Sequence, residues 1–197
     1  MPKSAGSFSS EQFKDIKSKI FLVNASVRDE FKIQTLIDLE KKRSLIGIDL
    51  QGFIRTIDKN NILVNSLWNE KKEALELTHY LKADGVEAEF LTGESDLVSA
   101  AKVLKSFGPK EVIITHKNGV LVYDGKNIYQ EPFILDKIVG RSGRGDTCGA
   151  SYVYKRLSLE PKEAIKWAAA ATSLKMESDT PLKNTYKEIE KRVQQYS

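Results

Sequence analysis

The sequence holds one cysteine (Cys148), two histidines (His79 and His116) and only five prolines in 197 residues. A lone cysteine excludes an intramolecular disulfide and any cysteine-cluster metal site. Two histidines exclude a multi-histidine zinc centre. No apolar run approaches the roughly 18–20 residues needed to cross a bilayer, and the opening stretch from Met1 to Asp15 has no apolar segment of the kind a secretory signal requires. A cytoplasmic, reduced setting is therefore expected. Neither sign of charge dominates, with 31 Lys+Arg against 27 Asp+Glu and a net charge of +4. The runs Lys41-Lys42-Arg43 and Lys71-Lys72 are short and interleaved with acidic residues. Blocks that bind nucleic acid are usually longer and one-sided. Neither a nucleic acid nor a membrane is an expected partner.

What is present is an ordinary globular composition, 41% apolar and 29% charged, in a length that suits one large domain. Apolar runs alternate with helical periodicity. Ile20–Val23, Leu45–Leu50 and Val112–Thr115 read as buried strands, and Tyr80–Ala83 reads as a marginal one. Ile54–Ile57 and Ile62–Val64 flank the turn-rich Asp58-Lys59-Asn60-Asn61 and suggest a hairpin, while Val120–Tyr123 pairs naturally with Val112–Thr115. Helices are predicted over about Trp68–His79, Val86–Leu91, Leu97–Phe107, Asp146–Leu157, Pro161–Met176 and Tyr186–Gln195, and Ser9-Ser10-Glu11-Gln12 has the form of a capped helix start. Strand runs without strict alternation, separated by helices, predict one three-layer α/β/α domain over residues 1–197. Its sheet should be mostly parallel, with a small antiparallel edge.

The chemistry concentrates at Gly140-Arg141-Ser142-Gly143-Arg144-Gly145-Asp146, where three glycines fall within six residues just before a helix. Glycine lets backbone N–H groups converge on one point, and a helix start adds unpaired donors and partial positive charge. The product is an anion site suited to phosphate, with Arg141 and Arg144 raising the local potential. Asp146 is the odd member, because a carboxylate repels phosphate. It admits two readings: a helix N-cap, or a general base that accepts a proton from a hydroxyl attacking phosphorus held by the glycine amides. The Gly-x-x-Gly-x-Gly spacing is neither a P-loop nor a dinucleotide fingerprint. Cys148 reads as a small packed residue, and His79 and His116 as incidental.

The segment Gly143-Arg144-Gly145-Asp146-Thr147, followed by a helix and then Ala168–Met176, resembles the C-terminal half of the PfkB/ribokinase family of carbohydrate and nucleoside kinases. Arg144 stands where that family has a small residue. The likeness extends upstream, through Val112–Val120, to Asp84-Gly85-Val86-Glu87 in place of an Asn-x-x-Glu motif, and to Asp49–Arg55 at the expected active-site mouth. It implies a ribokinase-like fold, with Asp146 as base and the amides of Gly143, Arg144 and Gly145 as the anion hole. ATP would be contacted by Thr115, Lys117, Gly119, Ala169 and Ser173, and Mg²⁺ organised near Glu87 and Asp84. Gln51, Arg55 and Arg141 are candidates for the substrate side. The implied activity is transfer of a phosphoryl group from ATP to a hydroxyl of a sugar, polyol or nucleoside, and a homodimer is compatible with it.

The family also has a further N-terminal part, with a small β lid, the first strands of the sheet and an acceptor-gripping Asp. The residues before Ile20 do not supply it. The chain is accordingly expected to be a fragment or a short form, with Ile20–Asn24 near an open side of the sheet. Two alternatives follow. One is a nucleotide-binding or assembly module of the same fold without catalysis of its own. The other is a kinase of a phosphorylated sugar, held by Arg141, Arg144 and Arg55.

Overall fold

A computed structural model describes residues 6–196. In chain order it contains a short 3₁₀ turn (Ser10–Phe13), β1 (Ile20–Val23), α1 (Ile33–Glu40), β2 (Leu45–Asp49), α2 (Gln51–Ile54), β3 (Arg55–Ile57), β4 (Leu63–Asn65), α3 (Lys71–Glu76) and β5 (Tyr80–Asp84). There follow α4 (Gly85–Thr92), α5 (Leu97–Ser106), β6 (Glu111–Thr115), β7 (Gly119–Tyr123), β8 (Ile128–Pro132), α6 (Arg144–Lys155), α7 (Pro161–Met176) and α8 (Tyr186–Val193). A six-stranded sheet runs in the order β1-β2-β5-β6-β7-β8, and β3 pairs with β4 in a separate two-stranded sheet. The strands β1, β2, β5 and β6 are parallel, while β7 pairs antiparallel with β6, and β8 antiparallel with β7. The mostly parallel sheet with an antiparallel edge is thus present.

Strand side chains alternate between two faces, and the core divides accordingly. Leu81, Ala83, Val112, Ile114 and Leu121 pack in one cluster with Leu36, Leu75, Ala88 and Leu104 of α1, α3, α4 and α5. Tyr80, Ile113, Val120 and Val122 pack in the other, with Tyr152, Ile165 and Ala168 of α6 and α7. The same alternation places Lys82 on the α6 face, between Tyr80 and Asp84. The segment expected to be a marginal strand is instead a central one, flanked by β2 and β6. Its weak signal comes from a lysine that is buried, not exposed.

The remaining differences have local causes. The helix expected over Trp68–His79 shortens to α3 because Trp68 turns into the core against Phe53, ring centroids 4.8 Å apart. At its other end the His79 N–H already donates to the Ile46 carbonyl of β2 (2.7 Å). The strand β8 lies outside the predicted strands, its residues being half-buried or exposed with no apolar run. The capped start at Ser9 is present as a 3₁₀ turn with a reciprocal Ser9–Gln12 capping box. The β1 strand lies at the edge of the sheet, as expected for Ile20–Asn24, and leaves Leu22 38% exposed.

The parallel strands β1, β2, β5 and β6 all end on one side of the sheet, which brings Asn24, Asp49, Asp84 and Thr115 to a common rim. Ligands of open α/β sheets bind at such a rim. The segment after β1 is held there by Gly52, since a Cβ at that position would lie 2.6 Å from both the Cβ and the carbonyl oxygen of Ala25. We expect Gly52→Ala to force α2 away from residues 24–25 and to destabilise the fold by about 1–3 kcal/mol. A chemical-denaturation midpoint unchanged from the parent chain would contradict this packing.

Candidate active site

The glycine-rich loop reaches the rim through α7. The N–H groups of Val139 and Gly140 both donate to the Met176 carbonyl, at 2.8 and 3.2 Å, which ties the start of the loop to the end of that helix. Gly143 then takes a left-handed conformation (φ 76°) as the N-cap of α6. The helix therefore begins earlier than expected, and Asp146 is not its cap. Asp146 sits in the first turn with an exposed side chain, and its Oδ1 accepts a hydrogen bond from Asn24 Nδ2 at 2.8 Å. The N-cap reading of Asp146 is thereby corrected: a glycine with positive φ performs that geometric role, and the carboxylate faces the rim.

The Arg144 N–H is spent on the Arg141 carbonyl (3.1 Å). The N–H groups of Gly145 and Asp146 lie in the first helical turn, where no intrahelical acceptor exists. A cavity of about 170 Å³ opens in front of them, lined by Gln51, Lys82, Asp84, Thr115, Arg141, Gly143, Arg144, Gly145 and Asp146. The structure thus collects on one surface Asp146, the glycine loop, both arginines, Thr115, Asp84 and Gln51. A second cavity of about 310 Å³ shares Gly143 and Asp146 and extends toward Thr147, Lys175 and Thr180.

Other predicted site residues lie elsewhere. Arg55 is in β3, its guanidinium 3.7 Å from Glu87. Glu87 is buried, and its carboxylate accepts the Asp84 N–H while the Asp84 carboxylate accepts the Glu87 N–H, each at 2.8 Å. The pair forms the N-terminal capping box of α4. Burial pushes the Glu87 carboxyl above its ordinary range, against the pull of Lys82. Lys117 is exposed on the β6–β7 turn. Gly119 belongs to β7, where a Cβ would lie 2.3 Å from the Glu131 carbonyl oxygen, so strand pairing alone demands glycine there. Ala169 and Ser173 are fully buried, and the Ser173 hydroxyl is engaged with the Ala169 carbonyl (2.7 Å) and the Tyr196 hydroxyl (3.1 Å). Tyr196 packs in the same cluster as Ala168–Ala170. Cys148 is buried as expected, its thiol pushed up to about 11 by burial, which removes it as a nucleophile.

Two contributors went unrecognised in the sequence. Asn24 is one. Lys82 is the other: its Nζ is 2.9 Å from Asp49 Oδ2, and both side chains are buried. The lysine stem lies directly under α6, where a Cβ on Gly145 would come within 2.6 Å of Nζ and one on Gly149 within 3.3 Å of Cγ. Burial opposes the charge, but the carboxylates of Asp49, Glu87 and Asp84 outweigh it and hold the ammonium above its ordinary value. The only available signal was a lysine on the inward parity of an otherwise apolar strand.

With the site geometry in view, the relatives are informative. The model of the pfkB family of carbohydrate kinases matches residues 48–183, and the chain belongs to that family. It is 37% identical over 70 residues to a cytidine kinase of Thermococcus kodakarensis, a match covering 34% of this chain and 25% of that protein. Among solved structures, a pyrophosphate-dependent kinase of the ribokinase family complexed with a pyrophosphate analogue and myo-inositol superposes with a TM-score of 0.89 at 34% identity, over 96% of this chain and 68% of that one. The ribokinase of Arabidopsis thaliana complexed with ribose and ATP shares the fold, with a TM-score of 0.70 at 20% identity, over 89% of this chain and 56% of that one. No helix among the described residues is long and apolar enough to cross a membrane.

Removing one member of a buried ion pair strands the other. We expect Lys82→Met to destabilise the chain by about 3–5 kcal/mol, and the double variant K82M/D49N, which keeps an acceptor for the Gln51 N–H, to recover at least part of that loss. Denaturation of the two variants checks this. Because the ammonium is stabilised in the fold, its own contribution is full below the ordinary lysine value of 10.5 and is lost as pH rises past it.

Proposed function

We propose that this chain carries the phosphoryl-transfer centre of a kinase whose acceptor is a hydroxyl of a sugar, polyol or nucleoside. The observation that supports the reading best is the exposed Asp146 carboxylate beside the free first-turn amides of α6, in one cavity with Lys82, Arg141 and Arg144. A terminal phosphoryl group held by the Gly145 and Asp146 amides would have its charge matched by these cations. An acceptor oxygen in front of Asp146 would attack phosphorus as the bond to the leaving phosphate breaks. The hydroxyl proton would pass to the carboxylate late in a loose transition state, so a weak base suffices.

Mg²⁺ fits this site in one way only. No group of three or more His, Cys, Asp or Glu converges among the described residues, so a protein-built cage is not available. Asp84 lines the cavity and Glu87 stands behind it, an arrangement suited to an ion held largely by water and donor phosphates. Bound there, Mg²⁺ would neutralise donor charge.

ATP is the donor implied by the motifs. Inorganic pyrophosphate is a second reading, and the positions of the five proposed nucleotide contacts favour it: only Thr115 opens onto the cavity, while Ala169 and Ser173 lie beneath Tyr196. A donor recognised through phosphate alone needs neither. The pyrophosphate-dependent relative supports the same choice.

Phosphate-transfer assays with magnesium salts of ATP and of pyrophosphate, against a panel of sugars, nucleosides and myo-inositol, test both readings. Turnover with pyrophosphate and not ATP selects the second. Asp146→Asn is expected to lower kcat by about 10²–10⁴-fold with donor binding retained. Near-normal turnover by that variant would remove Asp146 from the role of base. Donor binding without turnover of any acceptor by the parent chain would favour a binding module of the same fold.

A further inference from the structure

Asn24 follows the last residue of β1, at the exposed edge of the sheet, 122 positions from Asp146. Its amide nitrogen nevertheless donates to Asp146 Oδ1 at 2.8 Å. Several features make this contact rigid. The preceding residue, Val23, is buried and in register with Ile48 of β2. The following residue, Ala25, is buried against the backbone of Gly52. A little further on, Arg28 locks the segment to α2 and β3: its N–H donates to the Arg55 carbonyl (2.8 Å) and its guanidinium to the carbonyls of Phe53 (2.7 Å) and Ser66 (2.8 Å). Beneath the Asn24–Asp146 contact, Leu22, Asp49, Lys82, Gly149 and Ala150 leave a crevice of only about 10 Å³, room for about one water at most.

A carboxylate has two oxygens, and this arrangement separates their roles. Oδ1 is tied to Asn24. Oδ2 faces the glycine loop, 3.8 Å from where a Gly143 side chain would begin. We propose that Asn24 is a positioning residue for Asp146: it fixes the plane of the carboxylate so that Oδ2 is presented to the acceptor hydroxyl beside the first-turn amides of α6. A free aspartate at a helix start would otherwise rotate to bond the nearby first-turn N–H groups, as Asp and Asn side chains commonly do. That rotation would block the anion site and withdraw the base. The amide of Asn24 is neutral, so it orients the carboxylate without neutralising it, whereas Lys82, held below by Asp49, supplies charge without touching Oδ1. This assignment rests on the reading of Asp146 as the base.

The test uses Asn24→Leu, which keeps the side-chain size and deletes the donor, and Asn24→Asp, which replaces the donor with an acceptor. Asn24 is exposed, so both variants should fold with melting temperatures close to the parent. In the best donor–acceptor pair from the assays above, each is expected to lose about 10- to 100-fold in kcat, the size of effect that misplacement of a catalytic group produces. Affinity for inorganic pyrophosphate, measured by calorimetry, should stay unchanged. A merely structural role would move melting temperature and affinity together instead. In a D146A background, adding N24L should cost little further. Loss of turnover in D146N alongside full turnover in N24L and N24D would overturn the assignment to Asn24 while leaving the base in place; full turnover in D146N would overturn the base itself. Crystal structures of N24L give a reading independent of turnover: Asp146 turned onto the α6 amides supports the proposal, and Asp146 unmoved refutes it.

Discussion

Between the sheet and the first two turns of α6 lies one ammonium group, that of Lys82, and the arrangement of the site follows from it. A lysine that deep is tolerated only when paired, and Asp49 on the neighbouring strand supplies the pair at 2.9 Å. The parallel register sets Asp49 directly against Lys82. The lysine in turn dictates what can sit above it, because Gly145 and Gly149 are the two places where α6 crosses its side chain, and any Cβ at Gly145 would collide with Nζ. The glycines of the loop thus have two separate duties. Gly143 is required by its positive φ at the helix cap, whereas Gly145 is required by a cation packed beneath it. The Lys82 ammonium lies directly under the helix N-terminus, whose unpaired amides carry partial positive charge of their own, and Asp49 balances it from the neighbouring strand.

The contrast between the two ends of the sheet reinforces this. At the N-terminal end of β6, Glu111 is also buried, but it is saturated by the Tyr152 hydroxyl (2.5 Å) and by Arg156, whose Nη2 lies 2.7 Å away. Every hydrogen-bonding demand there is met inside the protein, which is the condition of a structural polar network. At the opposite rim, Arg141, Arg144 and the first-turn amides border open space. One end closes the core, and the other leaves positive groups to be matched by something that arrives.

The glycine loop and its aspartate were legible in the sequence because they depend on local chain geometry: glycines at short spacing before an amphipathic helix can do few things. Helix α7 was legible to its last residue for the same reason, with proline at its first position and an unbroken alanine-rich run. Legibility failed where contacts are long-range. The partnership of Asn24 with Asp146 joins the edge of the sheet to a helix far along the chain, and no periodicity encodes it. Lys82 was visible only as a flaw in an apolar strand, since its meaning comes from Asp49 and from α6. Gly119, Ala169 and Ser173 are implied as nucleotide contacts by the family resemblance, and all three are closely packed in the fold. Small residues also permit close packing, and here β8 and Tyr196 fill the space they leave.

Those packed positions bear on how the two halves of a transfer reaction are divided in this chain. On the proposed reading, the groups that would meet phosphate come from the loop after Gly140, from β5 and from the start of α6. Asn24, proposed to position Asp146, follows β1, which has a sheet neighbour on one side only, and Gln51 opens α2. Phosphate recognition would then rest on the central strand β5 and on α6, which suits a site that must stabilise charge without reorganising. The segment after β1 is fixed by Ala25 against Gly52 and by the side chain of Arg28. A single hydrogen bond from that segment reaches Asp146, so if Asp146 is the base, as proposed, its precision would depend on how firmly β1 is held.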